Sequence, residues 1–409
     1  MNFDKFYNTN EIKRFYFPGK IFSGINCLDE ISEGPTLNQG SMVWIFVDSY
    51  FIDNNLVSKV INKFEKNSTI IHYLSGKPIT ENVHKFIQEN MSRPVSIVIA
   101  IGGGSIIDFA KASLASLIFS SIDGIGLDPS IYRITTAKKP IFIAIPTTAG
   151  SGAEASRYYV TYNHSDNQKN YGKSWELIAD YIYLEPRFIT ELNHQILIEC
   201  AFDVFIHLLE TAVCKYEKSQ FGQILSISSI YRTMTAIQNI VNNNDKQIKF
   251  YKDLMESATI GGIAISNTRT GNIHEAAGAL LEKTTLNHPQ TLFVFFRKAI
   301  EQYESEIFEF ESNLINSFRI NAEWSDLKRI DDVIGWWEAI FEKFSIKDKI
   351  AKTLINEVND VDSIGQYIYN RIASDLVWKN KESPVVLNDK NIKVFINESL
   401  SQYGLHQTQ

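Results

Sequence analysis

In the first 190 or so residues apolar positions come in short unbroken runs; beyond that point they recur at helical spacing. Residues 43–47 (VWIFV), 69–73 (TIIHY), 95–101 (VSIVIAI) and 140–145 (PIFIAI) read as strands, and ITENVHKFIQENM, after the second run, as a helix. Near-continuous apolar strands alternating with helices predict a parallel sheet covered on both faces. The later segments ILIECAFDVFIHLLETAVCKY, GQILSISSIYRTMTAIQNIV, RIDDVIGWWEAIFEKF and KIAKTLINEVNDVDSIGQYIYNRIASDL predict long helices. The polar stretch 163–174 and the asparagines at 242–244 read as surface loops. The expected organisation is an α/β domain over residues 1–190 and an all-helical domain over residues 191–409, with a site in the cleft between them.

Composition narrows the class without changing that picture. A chain of 409 residues is long enough for two hydrophobic cores, and 44% hydrophobic with 21% charged residues is ordinary for a globular protein. The net charge of −7, with basic residues dispersed, argues against a nucleic-acid partner, because a phosphate backbone demands a positive stripe. Cys27, Cys200 and Cys214 are odd in number and form no CxxC pair, so neither a disulfide framework nor a zinc knot is expected. The opening residues lack a signal-peptide pattern and the apolar runs are too short to span a bilayer. A cytoplasmic protein without a membrane partner is the expectation.

The run AIGGGSIIDFAKA stops a strand at Gly102, Gly103 and Gly104 and enters a helix. Ser105 reads as its N-cap, with Asp108 in the place of a capping-box acid. Bare backbone and a fresh helix N-terminus together suit a pyrophosphate, although a lone glycine cluster is equally consistent with a tight turn. A second turn, IPTTAGSGAEAS, offers Thr147 and Thr148 after the next strand. Asp48 ends the strand at 43–47, where a carboxylate can bind ribose hydroxyls and repel a 2′-phosphate, favouring NAD over NADP; alone it reads as well as a loop cap.

In ECAFDVFIHLLETAV, Asp203 and His207 are four apart and share one helix face among apolar neighbours. A buried carboxylate and imidazole need partners, and His274 and His288 supply two further imidazoles. One carboxylate and three imidazoles suit Fe(II) or Zn(II), while an isolated Asp/His pair is more often a structural hydrogen bond. His72, His84, His164, His194 and His406 read as surface or structural residues.

GGGSIIDFAKA, PTTAGSGAE, the FDxxxH of residues 202–207 and the His274 to His288 pair, together with the FYFPGKIFSG opening, resemble the iron-containing (group III) alcohol dehydrogenases. The resemblance covers nearly the whole chain and weakens after about residue 300. It implies a dehydroquinate synthase-like fold, with a dinucleotide-binding α/β domain, a helical domain and a divalent metal at their interface. Asp203, His207, His274 and His288 then fall on the metal-ligand and catalytic positions. Gly102, Gly103, Gly104, Ser105 and Asp108 fall on the pyrophosphate turn, Thr147 and Thr148 on the second cofactor loop, Asp48 on the NAD-selecting acid, and Lys173 on a lysine near the nicotinamide.

The implied activity is interconversion of an alcohol and its aldehyde or ketone, the metal polarising the substrate oxygen and NAD(P) carrying the hydride, with a homodimer as the open assembly. Three positions depart from the family pattern: Gly278 where many members have a proton-relaying histidine, Pro289 where many have glycine, and Glu185-Pro186 in place of Asp-Pro. Glu275 is then one route for the proton. Arg269, between two threonines, reads as a solvated loop residue or as a contact for a polar or anionic substrate. The competing readings are a dehydroquinate-synthase-like lyase that uses NAD transiently and a non-catalytic nucleotide-binding descendant.

Overall fold

The computed structural model describes residues 14–33, 42–90, 94–119, 139–165, 168–214, 219–242, 247–318, 324, 328–358, 360–373 and 389–405. His406, Asn243 and Asn244 lie outside the described residues.

A six-stranded parallel sheet forms the N-terminal half. Its strands are β1 (Lys20–Ser23), β2 (Met42–Asp48), β3 (Ser68–Leu74), β4 (Val95–Gly102), β5 (Ile141–Pro146) and, after the hairpin of β6 (Tyr158–Tyr162) and β7 (Lys169–Lys173), β8 (Tyr181–Leu184). The spatial order is β1-β8-β5-β4-β2-β3. The central strands β2, β4 and β5 are buried almost throughout, as their unbroken Val/Ile/Phe content requires. Helices α1 (Asn55–Asn62), α2 (Thr80–Asn90) and α3 (Gly104–Phe119) connect the strands, and α3 follows directly from the end of β4.

Two expectations about this half change. The stretch at 163–174 is not simply a loop: it contains β7, which pairs antiparallel with β6, Val160 opposite Tyr171. Its sequence KNYGK carries no β-branched residue, so local pattern hides the strand. The strands β1 and β8, four residues each, are too short to show periodicity, and β1 lies at the sheet edge.

Beyond Leu184 a 3-10 turn (Pro186–Phe188) leads into helices α4 (His194–Val213), α5 (Gln220–Asn242), α6 (Ile248–Asn267), α7 (Asn272–Leu281), α8 (His288–Gln302), α9 (Glu304–Phe318), α10 (Ile330–Lys343), α11 (Ile346–Glu357) and α12 (Val361–Ala373), with a closing helix at Asp389–Ser401. The segment read as one helix after residue 348 is two. Asp360 Oδ1 accepts from Asp362 N at 3.0 Å, so Asp360 caps the second helix. Glu185, fully buried, accepts from Arg187 Nε at 2.8 Å and from Asn26 N at 2.8 Å, which ties β8 to the turn after β1.

The two halves share one continuous cluster of buried side chains instead of holding separate cores. The seam runs between the loop after β5 and α6. Gly152 adopts φ +60°, and a Cβ there would lie 2.6 Å from Gly262 N; a Cβ on Gly262 would lie 2.0 Å from Gly152 O. Backbone meets backbone because neither residue has a side chain. Thr259 Oγ1 donates to Glu154 Oε1 (2.8 Å) and Arg157 N donates to Ser266 Oγ (2.9 Å) along the same line.

Gly262→Ala should therefore destabilise the protein by about 1–3 kcal/mol or more through overpacking. The adjacent Gly261→Ala, whose new methyl would meet only His207 Cβ at 3.6 Å, should be neutral or slightly stabilising. Thermal or urea denaturation of the two variants checks this; equal losses would remove the close backbone approach as the cause.

Candidate metal and cofactor site

In α/β sheets ligands bind beyond the carboxyl ends of the strands, where the winding direction reverses. Here the chain goes outward from β2 to β3 and then returns to place β4 on the other side of β2, so the reversal lies between β2 and β4. Asp48 ends β2, Gly102 ends β4, and Thr147 follows the end of β5, the next strand. The three candidate cofactor elements thus share one edge.

The glycine turn is open backbone resting on the second loop. Thr147 N donates to Gly102 O at 3.1 Å, and a Cβ on Gly104 would come within 2.7 Å of Ser151 Oγ. None of Gly102, Gly103 and Gly104 has positive φ, so the absence of Cβ is what the site uses. Thr148 packs beside Gly103, where a Cβ would be 3.2 Å from its hydroxyl. The helix begins earlier than expected: α3 starts at Gly104, and Gly103 O accepts from Ile106 N and Ile107 N. Ser105 therefore lies exposed inside the first turn and is not the cap.

Asp108 forms no capping box. Its Oδ2 accepts from Val160 N of β6 at 3.2 Å, and burial pushes its pKa up while neighbouring Lys111 pulls it down. It ties α3 to the hairpin. Asp48 accepts from Tyr50 N at 3.0 Å, capping the 3-10 turn Ser49–Phe51. A cavity of about 470 Å³ adjoins it, lined by Tyr50, Phe51, Asn54 and Phe188 among others, between the loops that follow β2 and β8.

The metal candidates are arranged on three helices. Helix α4, capped by Asn193 accepting from Ile196 N (2.8 Å), is buried from Ala201 to Val213, and Asp203 and His207 are 5% and 6% exposed within it. His274 enters from the first turn of α7 and His288 from the first residue of α8. Asp203 Oδ1 lies 3.8 Å from His207 Nδ1, 3.8 Å from His274 Nε2 and 3.7 Å from His288 Nε2. Asp203 Oδ1, His207 Nδ1 and His274 Nε2 are buried and have no hydrogen-bond partner. Four ligands held about 2.0–2.2 Å from one ion at tetrahedral angles stand about 3.3–3.6 Å apart, so the distances from Asp203 are slightly wide of an ion-sized gap. Asp203, His207 and His274 have their ligand atoms within 4.8 Å of one another, and His288 joins this group through Asp203 alone. The donor set, one carboxylate and three imidazoles, fits a divalent transition metal.

Electrostatics suit the same reading. Burial opposes ionisation of Asp203, but the surrounding His207, His274 and His288 more than offset it and hold the carboxyl well below its usual range. Burial lowers His207 to about 4 and His288 to about 3, leaving both imidazoles neutral with free lone pairs near pH 7. His274 behaves oppositely: burial lowers it, yet Glu210 and Asp203 raise it to about 9. His274 Nδ1 is 2.6 Å from Glu210 Oε2 on α4, a partner that sequence reading missed because 210 bears no motif.

Lys173 pairs with Tyr158 at the end of β7, and Lys169, four residues and roughly 13 Å along the strand, comes up against α7. Its Nζ lies 3.5 Å from where a Cβ on Gly278 would be, with Tyr171 Oη at 3.8 Å. Burial lowers Lys169 to about 8, and its charge is felt at His288. Gly278 is one turn past His274 on the same helix face, so Lys169 and Tyr171 fill the space that a histidine would take. Pro289 falls in the first turn of α8, where its missing N–H costs nothing. Arg269 is half-buried in the turn between α6 and α7.

If the cluster binds a cation, Zn(II) at about 100 times its dissociation constant should raise the stability of metal-free protein by about 2.7 kcal/mol. Asp203→Ala should abolish that gain. Thermal unfolding with and without the ion checks both; equal shifts in the two proteins would place the ion elsewhere.

Comparison with known proteins bears on the fold and on likeness to a family. Residues 18–186 match the family described as iron-containing alcohol dehydrogenase. The 4-hydroxybutyrate dehydrogenase of Clostridium kluyveri is 25% identical over 232 residues, 56% of this chain and 61% of that protein. An alcohol dehydrogenase of Thermococcus barophilus is 26% identical over 243 residues, 57% of this chain and 62% of its own. The match thus spans about three fifths of the length of these relatives. The structure of an iron-containing alcohol dehydrogenase from Thermococcus thioreducens superposes with a TM-score of 0.77 at 19% identity, covering 95% of this chain and 100% of that one. That of a 1,3-propanediol oxidoreductase gives 0.77 at 16% identity, with 95% and 100% covered. Residues 18–186 are thus similar to the iron-containing alcohol dehydrogenase family, and the chain as a whole has the fold of these solved structures.

Proposed function

We propose that the protein is an NAD(P)-dependent, divalent-metal-dependent oxidoreductase that interconverts an alcohol and its aldehyde or ketone. The observation that carries this is the convergence of Asp203, His207 and His274, whose buried facing atoms have no hydrogen-bond partner, with His288 Nε2 3.7 Å from the same Asp203 oxygen. The cofactor edge is coupled to it, because Gly152 of the second loop abuts Gly262, and a Cβ on the preceding Gly261 would lie 3.6 Å from His207 Cβ.

When bound, a metal such as Fe(II) or Zn(II) supplies Lewis-acid polarisation of a substrate oxygen. The protein's residues do the rest. Asp203 and His207 hold one side of the cage from a single rigid helix, and His274 and His288 close it. Gly102, Gly103, Gly104 and the α3 N-terminus offer backbone to a pyrophosphate, and Asp48 accepts ribose hydroxyls at the neighbouring strand end, which supports NAD over NADP. The apolar wall of the 470 Å³ cavity, Phe51 against Phe188, suits the adenosine end. Lys169 sets a positive charge at the Gly278 side of the cluster, beside Glu275, which is half-buried and supplies a carboxylate for the departing proton.

The test is NADH absorbance on mixing the metal-loaded enzyme with NAD and a panel of alcohols, including an ω-hydroxy acid on the strength of the Clostridium relative's name. Alcohol-dependent NADH accumulation, with Asp203→Ala reducing kcat/KM by more than about 100-fold, is the expected result. A protein that binds metal and NAD but accumulates no NADH with any alcohol points to a lyase using NAD transiently, and one that binds no metal to a non-catalytic descendant. For the proton route, Glu275→Gln should lower kcat; unchanged activity would remove Glu275 from it.

A further inference from the structure

Helix α4 carries four ionisable groups on one stripe, Glu199, Asp203, His207 and Glu210, at successive spacings of four, four and three residues. The metal reading uses the middle two. The outer two are buried glutamates, 9% and 1% exposed, and nothing in the proposed reaction calls for them. Each reaches the first turn of the helix that carries a remote histidine.

Glu210 meets α7. That helix begins at Gly271, which has no side chain with which to cap the exposed N–H groups of the first turn. Glu210 Oε1 accepts from Ile273 N at 2.8 Å in its place, and Oε2 is 2.6 Å from His274 Nδ1. Gly271 is what admits the carboxylate, because a Cβ there would stand 2.8 Å from Oε1. With Nδ1–H given to Glu210, the other nitrogen of His274, Nε2, is left facing Asp203.

Glu199 meets α8. Asn287 and Gln290 form a capping box around the first turn, and His288 is the first helical residue between them. Glu199 Oε2 accepts from Asn287 Nδ2 at 2.6 Å and Oε1 from Gln290 Nε2 at 2.7 Å. Both side-chain amides of the box are thereby locked to α4, and with them the direction in which His288 leaves the helix. Both glutamates also place negative charge at a helix N-terminus, where the dipole favours it.

We propose that Glu199 and Glu210 are positioning residues for the metal site, Glu199 bracing the capping box of α8 and Glu210 capping α7, both from α4, so that His288 and His274 are held for a cation. The inference rests on the metal reading above. One helix thus supplies two ligands directly and fixes the other two through carboxylates. Carboxylates behind metal-binding histidines commonly contribute about 10–100-fold in metal affinity.

The experiment measures Zn(II) affinity of chelator-stripped protein by competition with a chromophoric chelator, alongside the thermal transition of each metal-free protein and the visible spectrum of its Co(II) form. Glu210→Gln and Glu199→Gln should each weaken Zn(II) binding by about 10–100-fold and alter the Co(II) bands. Wild-type affinity in both variants, even with a lowered metal-free transition, would show that the glutamates serve only the fold and would overturn the proposal. Should Glu210→Gln not be recovered folded, Gly271→Ala displaces the carboxylate without removing it; weaker Zn(II) binding supports the role and unchanged binding overturns it. A wild-type protein that binds no Zn(II) would instead sink the metal reading itself.

Discussion

Two glycines in van der Waals contact set the geometry on which the rest of the molecule depends. Gly152 and Gly262 bring the loop after β5 and the middle of α6 together backbone to backbone, closer than any side chain permits. The loop carries Thr147 and Thr148 toward the nucleotide edge of the sheet; the helix presses Gly261 against His207. A dinucleotide docked at the strand ends and a cation held by the cluster would thereby stand at a separation set by packing at one seam. Buried hydrogen bonds, Thr259 to Glu154 and Arg157 to Ser266, run beside it, and a shared core surrounds it, so the two halves are poorly able to slide.

The cluster beyond the seam is costly by itself. A carboxylate oxygen and imidazole nitrogens are withdrawn from water without hydrogen-bond partners, and each such group costs roughly 1–3 kcal/mol. A fold tolerates that where something else compensates. A cation would, and the helices meeting there are otherwise fully committed: α4 is apolar from end to end except for its ionisable stripe, a few hydroxyl and thiol groups and its first turn. The arrangement is pre-organised, because Asp203 and His207 are fixed by one helix and cannot separate without unwinding it.

Gly278 shows how one small residue redistributes charge. With no side chain at that point of α7, the hairpin β6–β7 sends Lys169 and Tyr171 into the gap. The group beside the cluster is then a lysine carried by a strand of the hairpin, not a side chain of the helix. Glu282 balances it from the next turn, bonded in turn to Tyr367 and Arg371 of α12.

Much of this was legible in the chain itself. Unbroken apolar runs gave β2, β4 and β5, a glycine triplet marked the end of β4, and the four-residue spacing put Asp203 and His207 on one face, because each is a relation among near neighbours that backbone periodicity transmits directly. Even the break between α11 and α12 was written locally, in Asp360, although it was read through. What local sequence could not decide is which distant groups meet. Asp108 has the spacing of a cap, yet it bonds Val160, 52 residues away, because the hairpin lies over α3. Lys173 and Lys169 are equivalent in composition, and only the hairpin register puts Lys169 beside α7. Glu210 carries no motif at all and gains its place from α7 packing across α4, where a missing Cβ at Gly271 lets a buried carboxylate reach a histidine 64 residues on. Such pairings depend on chain closure over long separations, which packing of the whole core decides and no window of sequence contains.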